Sequence, residues 1–110
     1  MIFIKQKIDG VFLIKPSLFK DRRGIFRRHF SRKKFKSNKL KSDVLQANVS
    51  VNFKKATLRG FHYQKKPYQE DKTMSCISGE IYDIVIDLRK TSKTYLKWLG
   101  FKLSEKNRNN

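Results

Sequence analysis

Apolar and polar positions alternate along this chain in short runs, with turn residues between them. Residues 2–4 and 11–14 are brief β-rich runs separated by Asp9-Gly10, a turn signal, and Pro16-Ser17 closes the second. Phe19 to Phe30 contains a turn around Gly24 that leads into an aromatic strand. Ser31 to Leu40 takes helical spacing for about two turns, with Ser31 placed to cap it and Phe35 to supply a buried contact. Leu45 to Phe53 is the cleanest strand pattern. Leu45, Ala47, Val49, Val51 and Phe53 alternate with Gln46, Asn48, Ser50 and Asn52, which predicts one core face and one polar face.

Lys65-Lys66-Pro67 reads as a loop, and Lys72 to Ile77 as a strand ended by Ser78-Gly79. Ile81 to Leu88 is a nearly continuous apolar strand. Thr91 to Thr94 forms a turn, Tyr95 to Leu103 a last strand containing Trp98, and Ser104 to Asn110 a polar tail. Many short strands with turns between them and one short helix predict an antiparallel sandwich or barrel.

Composition narrows the setting. The 110 residues suffice for one domain with a modest core, and 38% of them are hydrophobic. The net charge of +18 favours polyanions as partners and says little about fold. Lysines outnumber arginines 19 to 8, less Arg-rich than a surface that reads nucleic-acid sequence. Eleven Lys or Arg residues and one acid, Asp21, lie between Lys20 and Lys41. This run is a wet face or a place for nucleic-acid or anionic-membrane contact. Cys76 stands alone, so no internal disulfide forms, in keeping with a reducing cytoplasm. The segment from Met1 to Lys5 is too short for a signal-peptide core, and no apolar run approaches the ~20 residues of a membrane helix. A soluble cytoplasmic protein is expected.

Candidate chemistry gathers in Leu58-Arg59-Gly60-Phe61-His62-Tyr63-Gln64. Histidine exchanges protons near neutrality, and arginine clamps phosphate or carboxylate. The same residues also suit a packed aromatic strand. The uncharged polar row Gln46, Asn48, Ser50 and Asn52 suits a ligand cavity or an ordinary solvent face, since amides both donate and accept hydrogen bonds. Asp83 and Asp87 lie ~13 Å apart on an ideal strand, too far for a tight carboxylate pair, and read as structural partners of nearby cations. No Walker loop, GxGxxG, CxxC or HExxH is present, so nucleotide-hydrolase, Rossmann and zinc readings lack support.

Taken in order, several patterns coincide: Asp9-Gly10-Val11, Pro16, Phe19, Asp21-x-Arg23-Gly24-x-Phe26, Gln46-x-Asn48 and Leu58 to Gln64. They continue through Lys72, Gly79 to Asp83, Val85 to Arg89, Ser92, Thr94, Trp98 and Leu103-Ser104. This ordered set resembles the dTDP-4-dehydrorhamnose 3,5-epimerases. The resemblance implies a mainly β, cupin-like jelly roll with one short helix, needing no metal or other cofactor and typically dimeric. It implies action on a dTDP-4-keto-6-deoxyglucose-type nucleotide sugar in dTDP-L-rhamnose synthesis. His62 matches the general base and Lys72 the cation near the 4-keto group. Arg23 and Arg59 match residues that hold the anionic part of the substrate, and Gln46 and Asn48 match cavity-lining amides.

Two substitutions depart from the family pattern. Arg28 stands where a substrate-contacting glutamate is usual, and Ala47 where an aspartate is common. The resemblance covers a single N-terminal part of the domain, residues 1–110, so the fold reads as a truncated barrel. The family's proton-donating tyrosine lies beyond this part, and none of Tyr63, Tyr68, Tyr82 and Tyr95 takes its place. The 110 residues alone are expected to be weak or inactive. A truncated product, a fragment and a remnant with another use all remain open, as does a non-catalytic module binding nucleotide sugars or, through Lys20–Lys41, nucleic acid. Strict alternation would put Arg59 and His62 on opposite faces, so Gly60 is expected to mark a bulge, twist or strand end.

Overall fold

The computed structural model describes every residue from Met1 to Asn110 and contains three antiparallel hairpins and one short helix. Strands β1 (Ile2–Lys5) and β2 (Phe12–Lys15) pair from Ile2↔Lys15 to Lys5↔Phe12. The Asp9-Gly10 turn joins them as the pattern predicts, with Lys5 ion-paired to Asp9 at 2.9 Å. Strands β3 (Leu18–Asp21) and β4 (Gly24–Arg27) are joined by Arg22-Arg23, and Phe19 opposes Phe26 across them. Strands β5 (Glu80–Ile86) and β6 (Trp98–Ser104) form the longest ladder, seven pairs from Glu80↔Ser104 to Ile86↔Trp98. That last strand begins three residues later than its apolar pattern suggests, because Tyr95 and Leu96 belong to the preceding turn.

Helix α1 (Arg32–Ser37) lies where the spacing predicts it and buries Phe35. The Phe35 ring meets Phe3 edge-on at 5.3 Å and Phe30 at 4.8 Å, so the helix is held by one aromatic cluster. Ser31 occupies the N-cap position in an extended conformation, but its side chain makes no cap hydrogen bond. At the other end, the Asn38 side chain donates to the Lys34 carbonyl at 2.8 Å. Lys34 and Lys36 in the last turn suit the negative end of the helix dipole.

A two-stranded hairpin is marginal by itself, and no sheet here exceeds two strands. Two polar devices join the pieces. The first centres on Asp87, whose carboxylate is buried just past β5. It accepts hydrogen bonds from Arg89 Nε at 2.8 Å, Arg89 Nη2 at 2.9 Å, Ser92 Oγ at 2.6 Å and Thr94 Oγ1 at 2.7 Å. These donors, Arg89 foremost and then Ser92 and Thr94, hold the carboxyl far below the usual carboxylate range. Arg89 also donates to the Asp9 carbonyl at 2.9 Å, tying this turn to the first hairpin. The reading of Asp87 as a partner for a nearby cation therefore holds. Asp83 has no such cation, and burial raises its pKa.

The second device is the polar segment after β6. Asn110 exchanges two backbone hydrogen bonds with Ile14, at 2.8 and 3.0 Å, and its side chain donates to the His29 carbonyl. Arg27 donates to the Arg108 carbonyl at 2.8 Å. Residues 108–110 thus stitch β2 to the chain around β4.

The largest correction concerns residues 41–78. Neither Leu45–Phe53 nor Lys72–Ile77 forms a strand. Leu45 and Phe53 are both 96% exposed, so the alternating apolar face covers no core. The reason is pairing: of 33 backbone hydrogen bonds, only Tyr68 N–H to the Lys65 carbonyl falls within 41–78. A period-2 pattern makes a strand only when a neighbour supplies the other half of the ladder. Cys76 is the one buried residue of the segment.

Amide hydrogen exchange should reflect this division. Residues 41–78 should exchange within about tenfold of an unstructured peptide, and β5 and β6 should be slower by about a hundredfold or more. Asp87→Asn should lower the thermal unfolding midpoint by about 5 °C or more. Because the folded carboxyl pKa is depressed, its stabilisation is present above the unfolded value of ~3.9 and is lost as pH falls below it. Acid titration of unfolding should therefore lose part of its slope below about pH 4 in Asp87→Asn.

Candidate functional site

The residues expected to bind or react lie on two parts of the molecule. Arg23 occupies the β3–β4 turn, where the Asp21 carboxylate accepts from its backbone N–H at 2.8 Å, from Nε at 3.0 Å and from Nη2 at 2.6 Å. The pair is solvent-exposed, and Arg23 holds the Asp21 pKa below its ordinary value. Around it a shallow open hollow is lined by Phe19, Lys20, Asp21, Gly24, Ile25 and Phe26. Phe19 and Phe26 face each other there at 6.3 Å and are both largely exposed.

The remaining candidates all fall in residues 41–78. Gln46 Nε2 donates to Asn48 Oδ1 at 3.1 Å, so the two predicted amides act as one polar unit. Arg59 Nε donates to Asn52 Oδ1 at 2.7 Å, which lays the guanidinium against the same polar row. Asn52 belongs to the polar row read from the alternation, and its contact with Arg59 is what the sequence did not indicate. No carboxylate pairs with Arg59, so its remaining donors are open to an anion.

Gly60 follows with φ at +121°, a conformation that favours glycine. A Cβ there would approach His62 N at 3.9 Å and Nδ1 at 4.0 Å. No strand runs through residues 41–78, so the bulge, twist or strand end expected at Gly60 has no ladder to interrupt. His62 and Lys72 are both exposed, and neither makes a hydrogen bond or ion pair within the chain. No hydrogen bond or ion pair ties them, or Arg23, to the Gln46–Arg59 row. The other histidine, His29, faces Ser75 Oγ at 3.4 Å, and desolvation and Arg27 lower its pKa.

The basic run between Lys20 and Lys41 is a solvated surface. Three of its eleven cations pair with acids: Arg23 with Asp21, Arg32 with Asp43 at 2.8 Å, and Lys41 with Asp71 at 3.8 Å. No group of three or more His, Cys, Asp or Glu side chains is placed to hold a metal ion, and no helix is long and apolar enough to cross a membrane.

Comparison with known proteins places this geometry. The family model described as dTDP-4-dehydrorhamnose 3,5-epimerase matches residues 5–110. The enzyme of that name from Shigella flexneri is 39% identical over 108 residues, which make up 98% of this chain and 60% of that protein. The one from Methanothermobacter thermautotrophicus is 41% identical over 106 residues, 96% of this chain and 56% of the relative. Among solved structures, the Bacillus anthracis enzyme with TDP and PPi bound superimposes with a TM-score of 0.93 at 34% identity. The alignment covers 98% of this chain and 62% of that one. The Sulfolobus tokodaii enzyme gives 0.90 at 34% identity, over 99% and 61%.

The chain thus spans about 60% of the length of these relatives, from their N-terminal side. Alignment over nearly all of this chain means that even the unpaired segment 41–78 follows their path. The architecture is mainly β, the N-terminal part of a cupin-like jelly roll. The chain belongs to the dTDP-4-dehydrorhamnose 3,5-epimerase family.

Proposed function

We propose that this chain carries the base-bearing side of a sugar-nucleotide 3,5-epimerase site. It would bind a dTDP-4-keto-6-deoxyglucose-type substrate and remove protons next to the 4-keto group in dTDP-L-rhamnose synthesis. The observation that carries this reading is the path of the chain, which follows a TDP-bound relative closely through the segment bearing His62 and Lys72. A second relative, from Legionella pneumophila, was solved with dTDP-4-keto-L-rhamnose.

The chemistry follows from the residue types. A proton beside a ketone becomes removable when the developing oxyanion is stabilised, and the Lys72 ammonium supplies that charge. The His62 imidazole takes the proton as general base. Arg23 and Arg59 hold the diphosphate, which suits guanidinium donors. In this reading Gln46 and Asn48 receive polar groups of the sugar, while Asn52 aims Arg59. Inversion needs a proton returned on the opposite face. With no tyrosine assigned to that donor, turnover by these 110 residues is slow or absent. The protein works in the cytosol as a homodimer, and no metal or other cofactor takes part.

Incubation with dTDP-4-keto-6-deoxyglucose in deuterated water tests the base. Deuterium should enter at C3 or C5 slowly, and His62→Ala should abolish it. Lys72→Ala should slow it by about 10²–10³-fold, as for loss of an oxyanion donor. Exchange indifferent to His62→Ala would sink the assignment. In dTDP binding measured by calorimetry, Asn52→Ala should weaken affinity about fivefold by releasing Arg59.

A further inference from the structure

We propose that the outer face of helix α1, through Lys33, Lys34, Lys36 and Lys39, binds the phosphodiester backbone of nucleic acid without reading its bases. This goes beyond the sugar-nucleotide reading and stands on different residues.

From Arg22 to Ser42 the chain contains no acidic residue. Helix α1 holds part of this charge on a fixed frame. Phe35 is buried against Phe3 and Phe30, and helical spacing then puts Lys33 on the far side and Lys34 and Lys36 on the two flanks. All three are exposed, as is Lys39 just past the helix. None of the four ammonium groups has an acidic partner, although Arg32 and Lys41 nearby pair with Asp43 and Asp71. Nor do they close the helix end. The Lys34 carbonyl accepts from Ser37 Oγ at 3.0 Å and from Asn38 Nδ2 at 2.8 Å, and the Lys36 carbonyl from the Lys39 N–H at 3.0 Å. The four charges are unused within the molecule. Like charges three or four positions apart on a helix repel one another, and an outside polyanion relieves that repulsion.

The side-chain types indicate the partner. Lysine is a point charge on a flexible stem, which suits phosphate oxygens and not the forked edge of a base. A lipid surface is a poorer fit, because Phe35, the one large apolar side chain of the helix, is turned inward and leaves no apolar face to bury. Two other exposed lysine pairs, Lys54-Lys55 and Lys65-Lys66, lie in the segment that few hydrogen bonds hold, so binding there would have to order the chain first.

The test titrates the full 110-residue chain into a fluorescent single-stranded RNA of ~20 nucleotides and mixed sequence, followed by anisotropy. The expected Kd is about 10⁻⁵ M near physiological salt, unchanged when the RNA sequence is shuffled. Replacing all four residues (Lys33→Gln, Lys34→Gln, Lys36→Gln, Lys39→Gln) should weaken binding by about tenfold or more. The slope of log affinity against log salt should fall by about 3. A control of equal net charge (Lys54→Gln, Lys55→Gln, Lys65→Gln, Lys66→Gln) should lose less than about threefold. Amine-reactive labelling of the unsubstituted chain needs no variant to fold, and RNA should shield Lys33, Lys34, Lys36 and Lys39 above the other lysines.

The proposal is overturned if both variants lose affinity equally, if shielding is spread evenly over the lysines, or if no binding is seen at that salt by about 10⁻⁴ M. It is also overturned if phosphatidylserine vesicles bind more tightly than RNA and shield the same four lysines. None of these readouts involves turnover or dTDP, so failure here is separable from failure of the epimerase reading.

Discussion

A strand is stable only when its amides and carbonyls meet those of a neighbour, and this requirement governs the whole molecule. Where local turns bring the two halves together, at Asp9-Gly10, at Arg22-Arg23 and between Ile86 and Trp98, ladders form. Where the complementary half is not local, as in residues 41–78, an equally good pattern stays extended and wet. Burial follows pairing only in part. Apart from Cys76, the few buried residues lie in or beside β1–β2, the helix, the Asp87 turn and the end of β6, while the β3–β4 hairpin, though paired, leaves Leu18, Phe19, Ile25 and Phe26 facing solvent. Local stability is therefore uneven by construction.

The predicted chemistry sits mostly on the unpaired side of that division. Gln46, Asn48, Arg59, His62 and Lys72 occupy a segment whose shape matches solved epimerases but whose own hydrogen bonds scarcely hold it. Catalysis by general acids and bases depends on fixed geometry, because small misplacements weaken both orientation and charge stabilisation. Local polar contacts, Gln46 with Asn48 and Arg59 with Asn52, give a partial substitute for a packed wall. They orient side chains relative to near neighbours and leave His62 and Lys72 unanchored. Family membership and catalytic readiness are thus separate properties here.

What could be read from sequence divides along the same physical line. Both N-terminal hairpins, the helix around Phe35 and the strand after Gly79 were legible because turn residues and apolar spacing act over a few positions. Leu45–Phe53 carried the strongest alternation of all, yet alternation reports which side faces which environment and not whether a neighbour exists. Asp87 was recognisable as a structural partner of a nearby cation. Its contrast with Asp83 was not, since that depends on how the chain turns after Ile86. The reactive and binding residues came from the ordered resemblance. Asn52 was legible as part of the polar row, but its hold on Arg59 was not, since that contact spans seven positions of irregular chain. The folding back of Asn110 onto Ile14 left no trace in composition, because polar residues look alike whether docked or free.

That last contact bears on biosynthesis. Arg27 waits for Arg108 and Ile14 for Asn110, and Asp9 receives Arg89 from the third hairpin, so these ties join residues made about 80 or more positions apart. As the polypeptide leaves the ribosome, everything up to Gly79 has only two four-residue ladders and one aromatic cluster to rely on. Nascent chains in that condition display apolar surface for seconds, given elongation at about 5–20 residues per second, and are natural clients of chaperones. Within this span, the ties at Asp9, Ile14 and Arg27 consequently wait until Arg89 to Asn110 have been made and are free to dock.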